Sequence, residues 1–278
     1  MITSRRPWAP LLAACALLGS TAALAQTSAE STMARVERTK TLRVGVVAGA
    51  VPYFSKDLVS GRWEGFGPDF AESLAQKLGV KVAFLETTWG NAVLDLESNK
   101  IDAMFGMAPS PARREVVNFS DTLFENTYTA VCKKGYAPKT WEEMNAPQVK
   151  VAVDLGSSHD QLATKILPHA QLLRVENSGA ATMSLQAGRA DCQILVVLLA
   201  QPLLAKRPDV GVMLIPTPVQ TNSVNIGLQK ETDPAFQRAV NAWLAEVRAR
   251  DEVRTVILRN MQNLAGVSPQ AFPREIRF

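Results

Sequence analysis

The chain has 278 residues, of which 47% are hydrophobic and 20% are charged, so it can fold as a globular protein with a large buried core. Its net charge is only +4, and it has no lysine- and arginine-rich run with interleaved aromatic residues, so we expect no nucleic-acid partner. Its few cysteines and two histidines lack the spacing of a metal site, so we expect no metal and no cofactor.

Residues 1–25 have the composition of a secretory signal peptide. Arg5 and Arg6 make a basic start, an apolar run spans Leu11–Leu24, and a small-x-small cleavage signal closes the segment. Cleavage there would remove two arginines and no acid, which lowers the net charge from +4 to +2. We therefore predict a periplasmic protein. Twin-arginine export and a lipoprotein anchored at Cys15 remain as variants of this prediction.

The first half of the mature sequence alternates strand and helix patterns. Residues 26–38 are polar and predict a loose N-terminal lead. The predicted elements that follow are a strand Thr41–Val47, a hairpin Gly61–Gly67, a helix that begins near Asp69 and stops at Gly79, a strand Val80–Leu85, a helix Asn91–Ser98 and a strand Asp102–Phe105. Strands that alternate with helices indicate a parallel sheet with right-handed crossovers.

The second half repeats this alternation before two final helices. The predicted elements are an extended segment Tyr128–Lys133, a short helix capped by Thr140, strands Val149–Val153, Leu172–Val175, Asp191–Val197 and Val212–Ile215, helices Gly156–Leu167 and Ala180–Ala187, and an extended segment Ser223–Gln229. Asp233 then caps a long amphipathic helix whose apolar face includes Phe236 and Trp243, and a last apolar helix follows.

Cleavage of the signal peptide would leave Cys132 and Cys192 as the remaining cysteines. An oxidising compartment permits a disulfide between them. Both lie in strand-like apolar runs, however, and this favours the prediction of two buried thiols.

The most informative stretch is Ile101–Asp121, which reads IDAMFGMAPSPARREVVNFSD. A short apolar strand signal gives way to small and rigid residues at Gly106, where the absence of a Cβ lets a ligand approach the backbone. Arg113 and Arg114 follow before a second apolar patch. Exposed amides, a hydroxyl and an arginine fork suit a carboxylate, because a guanidinium offers planar bidentate donors.

This stretch resembles a segment of the periplasmic solute-binding proteins for polar amino acids (family 3), which are the receptors of ABC importers. The family segment reads G-[MI]-T-x-T-x-x-R and is followed by F-S-D. It corresponds to Gly106–Arg113 and to Phe119-Ser120-Asp121 here. Weaker matches occur at Leu42–Val46, Gly65-Phe66 and Gly188–Asp191, and the resemblance covers about residues 40–262.

The resemblance implies an α/β, two-lobed periplasmic-binding-protein fold of type II. Each lobe would be a mainly parallel sheet flanked by helices, and two crossover strands would join the lobes. The implied boundaries are 1–25 for the signal peptide, 26–131 plus 222–278 for lobe 1, and 132–221 for lobe 2. The implied function is capture of a small carboxylate, an amino acid or an amino-acid-like organic acid, in the interlobe cleft by a monomer that delivers it to the permease of an ABC importer.

The resemblance also implies a set of ligand-binding residues on both sides of the cleft. Lobe 1 would contribute Arg113, Gly106, Met107, Ala108, Trp89 and Tyr53, and lobe 2 would contribute Ser157, Ser158, Asp154 and Val196. The arginine would hold the ligand carboxylate, and the start of the helix at Ser157 would favour the same anion. Counting from the two ends of the motif gives either Arg113 or Arg114 as the anchor, and we favour Arg113.

Three departures from the family pattern bear on the ligand. Val196 and Val47 stand where the family often carries an acid for the ligand ammonium, and Ala108 replaces its usual threonine. An ammonium closed into a cleft without a carboxylate would be costly to bury. Either Asp154 takes over that role or the ligand lacks an ammonium. We favour the second, a small carboxylate with an apolar or aromatic body.

Two other functions remain in view beside the binding protein, which we do not expect to be an enzyme. A few relatives on this scaffold are dehydratases of cyclohexadienyl carboxylates such as prephenate, which would need a proton donor in the cleft. His159, Asp160 and Glu176 are the candidate donors. The other function is that of a sensory or accessory subunit, which would present the ligand to a membrane partner without transport.

Overall fold

The computed structural model describes residues 30–271 together with Met1. The chain divides into Met1–Glu30 and Ser31–Phe278, and the description below concerns the second of these units. Apart from Met1, the predicted signal peptide lies outside the described residues. No helix in the described part of the chain combines the length and the apolarity needed to cross a membrane.

Lobe 1 is built on a parallel three-stranded core, β4-β1-β5, with helices against it. Its elements before the first crossover are α1 (Thr32–Thr39), β1 (Thr41–Val47), β2 (Ser55–Lys56), β3 (Trp63–Glu64), α2 (Phe66–Leu78), β4 (Lys81–Thr87), α3 (Asn91–Glu97), β5 (Ala103–Met107), α4 (Pro111–Val116) and β6 (Val117–Phe119). The predicted alternation of strands and helices is therefore present.

Lobe 2 repeats the pattern with the parallel strands β10-β8-β9. Its elements are α5 (Trp141–Met144), β8 (Lys150–Asp154), α6 (Ser158–Ile166), β9 (Gln171–Val175), α7 (Ser178–Gln186), β10 (Cys192–Val196), α8 (Val197–Lys206) and β11 (Val212–Leu214). Helix α8 follows β10 directly, between the predicted strands Asp191–Val197 and Val212–Ile215, where the sequence pattern predicted no helix.

Two long antiparallel strands join the lobes. Strand β7 (Phe124–Cys132) and strand β12 (Thr221–Gln229) pair with each other over residues 124–127 and 221–224. Strand β12 then pairs with β5 of lobe 1, and β7 pairs with β10 of lobe 2, which gives the order β4-β1-β5-β12-β7-β10-β8-β9. The chain returns to lobe 1 for α9 (Ala235–Ala249), α10 (Glu252–Ala265) and a 3-10 turn, Pro269–Ala271.

The core of lobe 1 is aromatic. Phe70 and Phe105 each meet the ring of Trp243 edge-on at 6.2 Å between centroids. The indole nitrogen of Trp243 donates to the Ser73 hydroxyl at 3.0 Å, so its polar group is satisfied despite burial. The predicted apolar face of α9 is buried as a whole, and this packing holds the C-terminal helices onto lobe 1.

The prediction of a loose lead at 26–38 is wrong from residue 32 onward. Ser31 caps helix α1 by accepting from the Ala34 amide, and the side chain of Arg35 pairs with the fully buried Asp102. Asp102 also accepts from the Arg43 amide and guanidinium, at 2.7 Å each. A carboxylate shared by two arginines anchors a helix that its composition alone does not predict.

The prediction of two free buried thiols is also wrong, because Cys132 and Cys192 form a disulfide. The antiparallel register of β7 and β10 sets the two residues directly opposite each other, with 4.0 Å between their Cα atoms. Directly opposed residues on neighbouring strands bring their side chains together. Burial in apolar strands is therefore compatible with a disulfide.

Candidate functional site

A cavity lies where the carboxyl ends of the strands in both lobes face each other, the usual ligand position in open α/β sheets. Its empty volume is about 380 Å³, part of it open to solvent. The lining residues are Tyr53, Trp89, Gly106, Ala108, Arg113, Asn126, Ser157, Ser158, His159, Val196, Leu199, Asn222 and Val224. Most of the predicted site residues are therefore brought together, but Met107 and Asp154 do not line the cavity.

Arg113 enters the cavity from the first turn of α4. Ser110 caps this helix by accepting from the Arg113 amide, and Pro111 starts it, so the guanidinium is turned inward. Its Nη1 donates to the Ala108 carbonyl at 2.7 Å, and its Nη2 donates across the cleft to the Gly156 carbonyl at 2.8 Å. Burial lowers the pKa of Arg113 to about 10, so the group is still a cation at neutral pH.

The two arginines of the motif differ sharply in environment. Arg113 is 5% exposed and lines the cavity. Arg114 is exposed, and its guanidinium lies over the Phe119 ring at 5.3 Å. The geometry thus agrees with counting back from the Phe119 end of the motif, which selects Arg113.

Two glycines permit the close approach of the cavity walls. Gly106 has φ +87°, and a Cβ there would lie 3.0 Å from the Tyr53 ring. Gly156 has φ +72°, and a Cβ there would lie 2.7 Å from the Cα of Gly90 in lobe 1. Backbone contact at Gly156 means that the two lobes are closed on each other in this structure.

Helix α6 presents its N-terminus to the cavity, but its cap is already formed. The Ser157 hydroxyl accepts from the amides of His159 and Asp160, at 3.1 and 3.2 Å. The helix dipole still favours an anion at this end. Ser158 shares a hydrogen bond with Tyr128, the side chain that also packs edge-on against His159, with 6.0 Å between ring centroids.

Asp154 is held inside lobe 2 rather than turned toward a ligand. It is 1% exposed, its Oδ1 lies 3.0 Å from His159 Nδ1, and its Oδ2 accepts from the Ser178 hydroxyl at 2.8 Å. Burial alone would raise the pKa of Asp154, but the charge of His159 and these hydrogen bonds outweigh it and hold that pKa below its ordinary value. The carboxylate therefore fixes the imidazole that lines the cavity.

The remaining predicted residues form the apolar sides. Trp89 and Tyr53 are buried lining residues, and the Tyr53 ring packs in a tilted arrangement against Phe66, with 4.3 Å between ring centroids. Val196 ends β10 at the cavity, whereas Met107 is fully buried in the core below it. The described lining residues include Arg113 and His159 but no carboxylate side chain.

Sequence reasoning missed Asn126 and Asn222, which line the cavity from the crossover strands. Each lies just before a predicted extended segment, Tyr128–Lys133 or Ser223–Gln229, at a position for which the sequence pattern predicted no element. The two residues become neighbours only through the pairing of β7 with β12, which are far apart in the sequence. No local sequence signal could therefore have identified them. In the described part of the chain, no group of three or more His, Cys, Asp or Glu is placed to hold a metal ion.

The sequence pattern of the bacterial extracellular solute-binding proteins, family 3, matches residues 42–261. Cyclohexadienyl dehydratase of Pseudomonas aeruginosa is 27% identical over 236 residues, covering 84% of this chain and 86% of the relative. The ABC transporter glutamine-binding protein GlnH of Bacillus subtilis is 30% identical over 185 residues, covering 65% of this chain and 67% of that protein.

Solved structures give the same result for the fold. The ancestral amino acid-binding protein AncCDT-1, described as a precursor of cyclohexadienyl dehydratase, superposes with a TM-score of 0.74 and 33% identity, covering 81% of this chain and 97% of that one. The two-lobed α/β fold predicted from the sequence is confirmed. The family pattern spans most of the chain, and the chain belongs to the bacterial extracellular solute-binding proteins of family 3.

Proposed function

We propose that this protein captures a small carboxylate, an amino acid or an amino-acid-like organic acid, in the cavity between its lobes. The observation that carries the proposal is the buried Arg113 guanidinium, whose hydrogen bonds go to the carbonyls of Ala108 and Gly156. A buried cation without a carboxylate partner is costly, and an anionic ligand would remove that cost. GlnH and AncCDT-1, named for amino-acid binding, point to the same ligand class.

The ligand would replace the contacts that now close the cleft. A carboxylate next to Arg113 could accept two parallel N–H bonds from its fork, one of which now goes to Gly156. The dipole of α6 would act on the same charge from lobe 2. Hinge motion at β7 and β12 would open and close the site, since these crossover strands connect the lobes.

Residues 1–25 and the family support a proposal for the cellular setting. We propose export to the periplasm by the N-terminal signal peptide, and delivery of the ligand by a monomer to the permease of an ABC importer. The name of GlnH includes such a transporter.

A thermal-shift screen tests the proposed function. The panel pairs each amino, keto or aromatic acid with its alcohol or ester, which keeps the body and loses the charge. A ligand at a hundred times its Kd stabilises the folded form by about 2.7 kcal/mol, which corresponds to a rise of several degrees in Tm for a chain of this size. Equal shifts from acids and their uncharged partners would contradict the proposal.

A second candidate function is a dehydratase acting on a cyclohexadienyl carboxylate. The cyclohexadienyl dehydratase of Pseudomonas aeruginosa, 27% identical, supports it. So does His159, which lines the cavity with Nδ1 held by Asp154 and could protonate a leaving hydroxyl. The other predicted donors fit less well, because Asp160 is paired with Arg174 at 2.8 Å and Glu176 is exposed.

Incubation with prephenate under ultraviolet monitoring separates the two candidates. A dehydratase would change the spectrum in a time-dependent way, and His159→Asn would abolish the change. A constant spectrum, combined with a prephenate-induced rise in Tm, would exclude the dehydratase and favour the binding protein.

A further inference from the structure

Two asparagines on the crossover strands form a polar pair at the base of the cavity. Asn126 of β7 and Asn222 of β12 are direct partners in the antiparallel register. Directly opposed residues of such a pair project from the same face of the ribbon. Both line the cavity, and they are therefore neighbours in its wall.

The amide oxygens of both residues are buried and have no hydrogen-bond partner. Asn126 is only 6% exposed, and its Nδ2 donates to the Tyr53 hydroxyl oxygen at 2.6 Å. Burial raises the pKa of Tyr53, so it remains a neutral phenol and a suitable acceptor for that bond. Because Nδ2 faces Tyr53, Asn126 Oδ1 points away from the phenol and is an acceptor without a donor.

Unpaired buried acceptors are rare in folded proteins, because their desolvation is uncompensated. None of the hydrogen bonds made by the described lining residues reaches either oxygen. Arg113 already donates to two backbone carbonyls, and His159 Nδ1 is engaged by Asp154. A pair of adjacent orphan oxygens in a ligand cavity therefore indicates that the ligand brings donors.

We propose that Asn126 Oδ1 and Asn222 Oδ1 accept hydrogen bonds from the ammonium group of the ligand. This inference rests on the proposed function and specifies its ligand. The amide pair takes the place of the carboxylate that Val196 and Val47 do not provide. The sequence analysis favoured a ligand without an ammonium, and this inference reverses that preference. The family motifs could not reveal the acceptors, because these lie on β7 and β12, which the motifs do not include.

The charge balance of such a complex is acceptable. The ligand carboxylate would neutralise Arg113, and the nitrogen would be held by neutral oxygens within reach of its own carboxylate. Discrimination then comes from leaving the two acceptors unpaired when the nitrogen is absent. Sites that hydrogen-bond a ligand N–H reject analogues lacking it by large factors, on the order of a hundredfold or more.

Calorimetry with matched ligand pairs tests this proposal. Each α-amino acid is compared with the α-keto acid of the same side chain, which keeps the carboxylate and replaces the donors by an acceptor. The wild-type protein should bind the amino acid about a hundredfold more tightly. Asn126→Ala and Asn222→Ala should reduce that ratio to within about tenfold while the keto acid still binds.

Near-isosteric variants guard against a folding defect. Asn126→Asp and Asn222→Asp keep the side-chain volume and place a formal negative charge at the acceptor, so each should increase the ratio of amino-acid to keto-acid affinity. Asn263→Ala, an exposed residue on α10, is the control and should leave the ratio unchanged.

Two results would overturn the inference while leaving the proposed function standing. One is a wild-type protein that binds the keto acid at least as tightly as the amino acid, which would mean that the amides turn their N–H groups inward. The other is an affinity ratio unaffected by all four asparagine substitutions. A wild-type protein that binds no carboxylate would overturn both proposals.

Discussion

Each side of the cleft contains one buried charged residue, but the two differ in sign and in whether the charge has a partner of opposite charge. On the lobe 1 side, Arg113 is a buried cation whose hydrogen bonds go to carbonyl oxygens alone. On the lobe 2 side, Asp154 is a buried anion whose oxygens are engaged by His159 and Ser178. A buried charge without a counterion is available to a ligand, whereas a buried charge that is already paired serves the structure. The comparison teaches that location near a cleft does not make a charged residue a ligand contact.

Lobe 2 also carries the disulfide, and the largest expected effect comes from removing it. Replacing both Cys132 and Cys192 by alanine should lower the free energy of unfolding by about 2–4 kcal/mol, because the bridge closes a long loop. Urea unfolding followed by circular dichroism measures the change. Treating the wild-type protein with a reductant should act in the same direction. A Tm that does not respond to reductant would rule out the bridge.

Asp154→Asn tests the paired anion on the lobe 2 side. Because the folded-state pKa of Asp154 is depressed, its contribution to stability is present above the unfolded pKa and is lost as pH falls through the folded pKa. The free energy of unfolding of the variant should be about 1–3 kcal/mol lower than that of the wild type near neutral pH. Below about pH 4 it should depend less on pH than that of the wild type. Urea midpoints from pH 3 to 7 measure both effects, with the exposed Asp209→Asn as control.

Gly156→Ala tests the contact between the two sides. The new Cβ would meet the Gly90 backbone at 2.7 Å, so closure of the lobes should be hindered and ligand affinity should fall. We expect a loss of about tenfold, on the order of 1.4 kcal/mol. Gly188→Ala has a similar positive φ but open space around its Cβ, so it shares the backbone strain without the clash. Equal ligand affinities in the two variants would mean that closure is not required.

The smallest predicted effect at neutral pH is the dependence of ligand affinity on the charge of Arg113. The pKa of Arg113 is lowered to about 10 by burial, so affinity for a carboxylate should be constant at neutral pH and should fall as pH rises through about 10. Beyond that pKa each pH unit should cost about tenfold in affinity, because the neutral guanidine must take up a proton to bind. A fall that begins near pH 7 would assign the effect to another group.

The sequence predicted the order of elements and the motif around Arg113 because both depend on local patterns. Alternating strands and helices, the glycine at 106 and the spacing to the arginine are visible in one dimension. Three of the features that the sequence did not predict share one cause, which is pairing between distant segments. Arg35 with Asp102, Cys132 with Cys192, and Asn126 with Asn222 are each set by strand register or by packing between elements. The withdrawal of Asp154 from the cavity also depends on Ser178, a residue of the following helix.

Calorimetric titration of Arg113→Ala beside Arg114→Ala, with a carboxylate selected in the thermal-shift screen, tests the central claim most directly. The two residues are adjacent in sequence, but only Arg113 is buried in the cavity. Arg113→Ala should weaken binding by more than about a hundredfold, equivalent to about 2.7 kcal/mol, whereas Arg114→Ala should bind as the wild type does. Equal affinities in the two variants, or a greater loss in Arg114→Ala, would contradict the account.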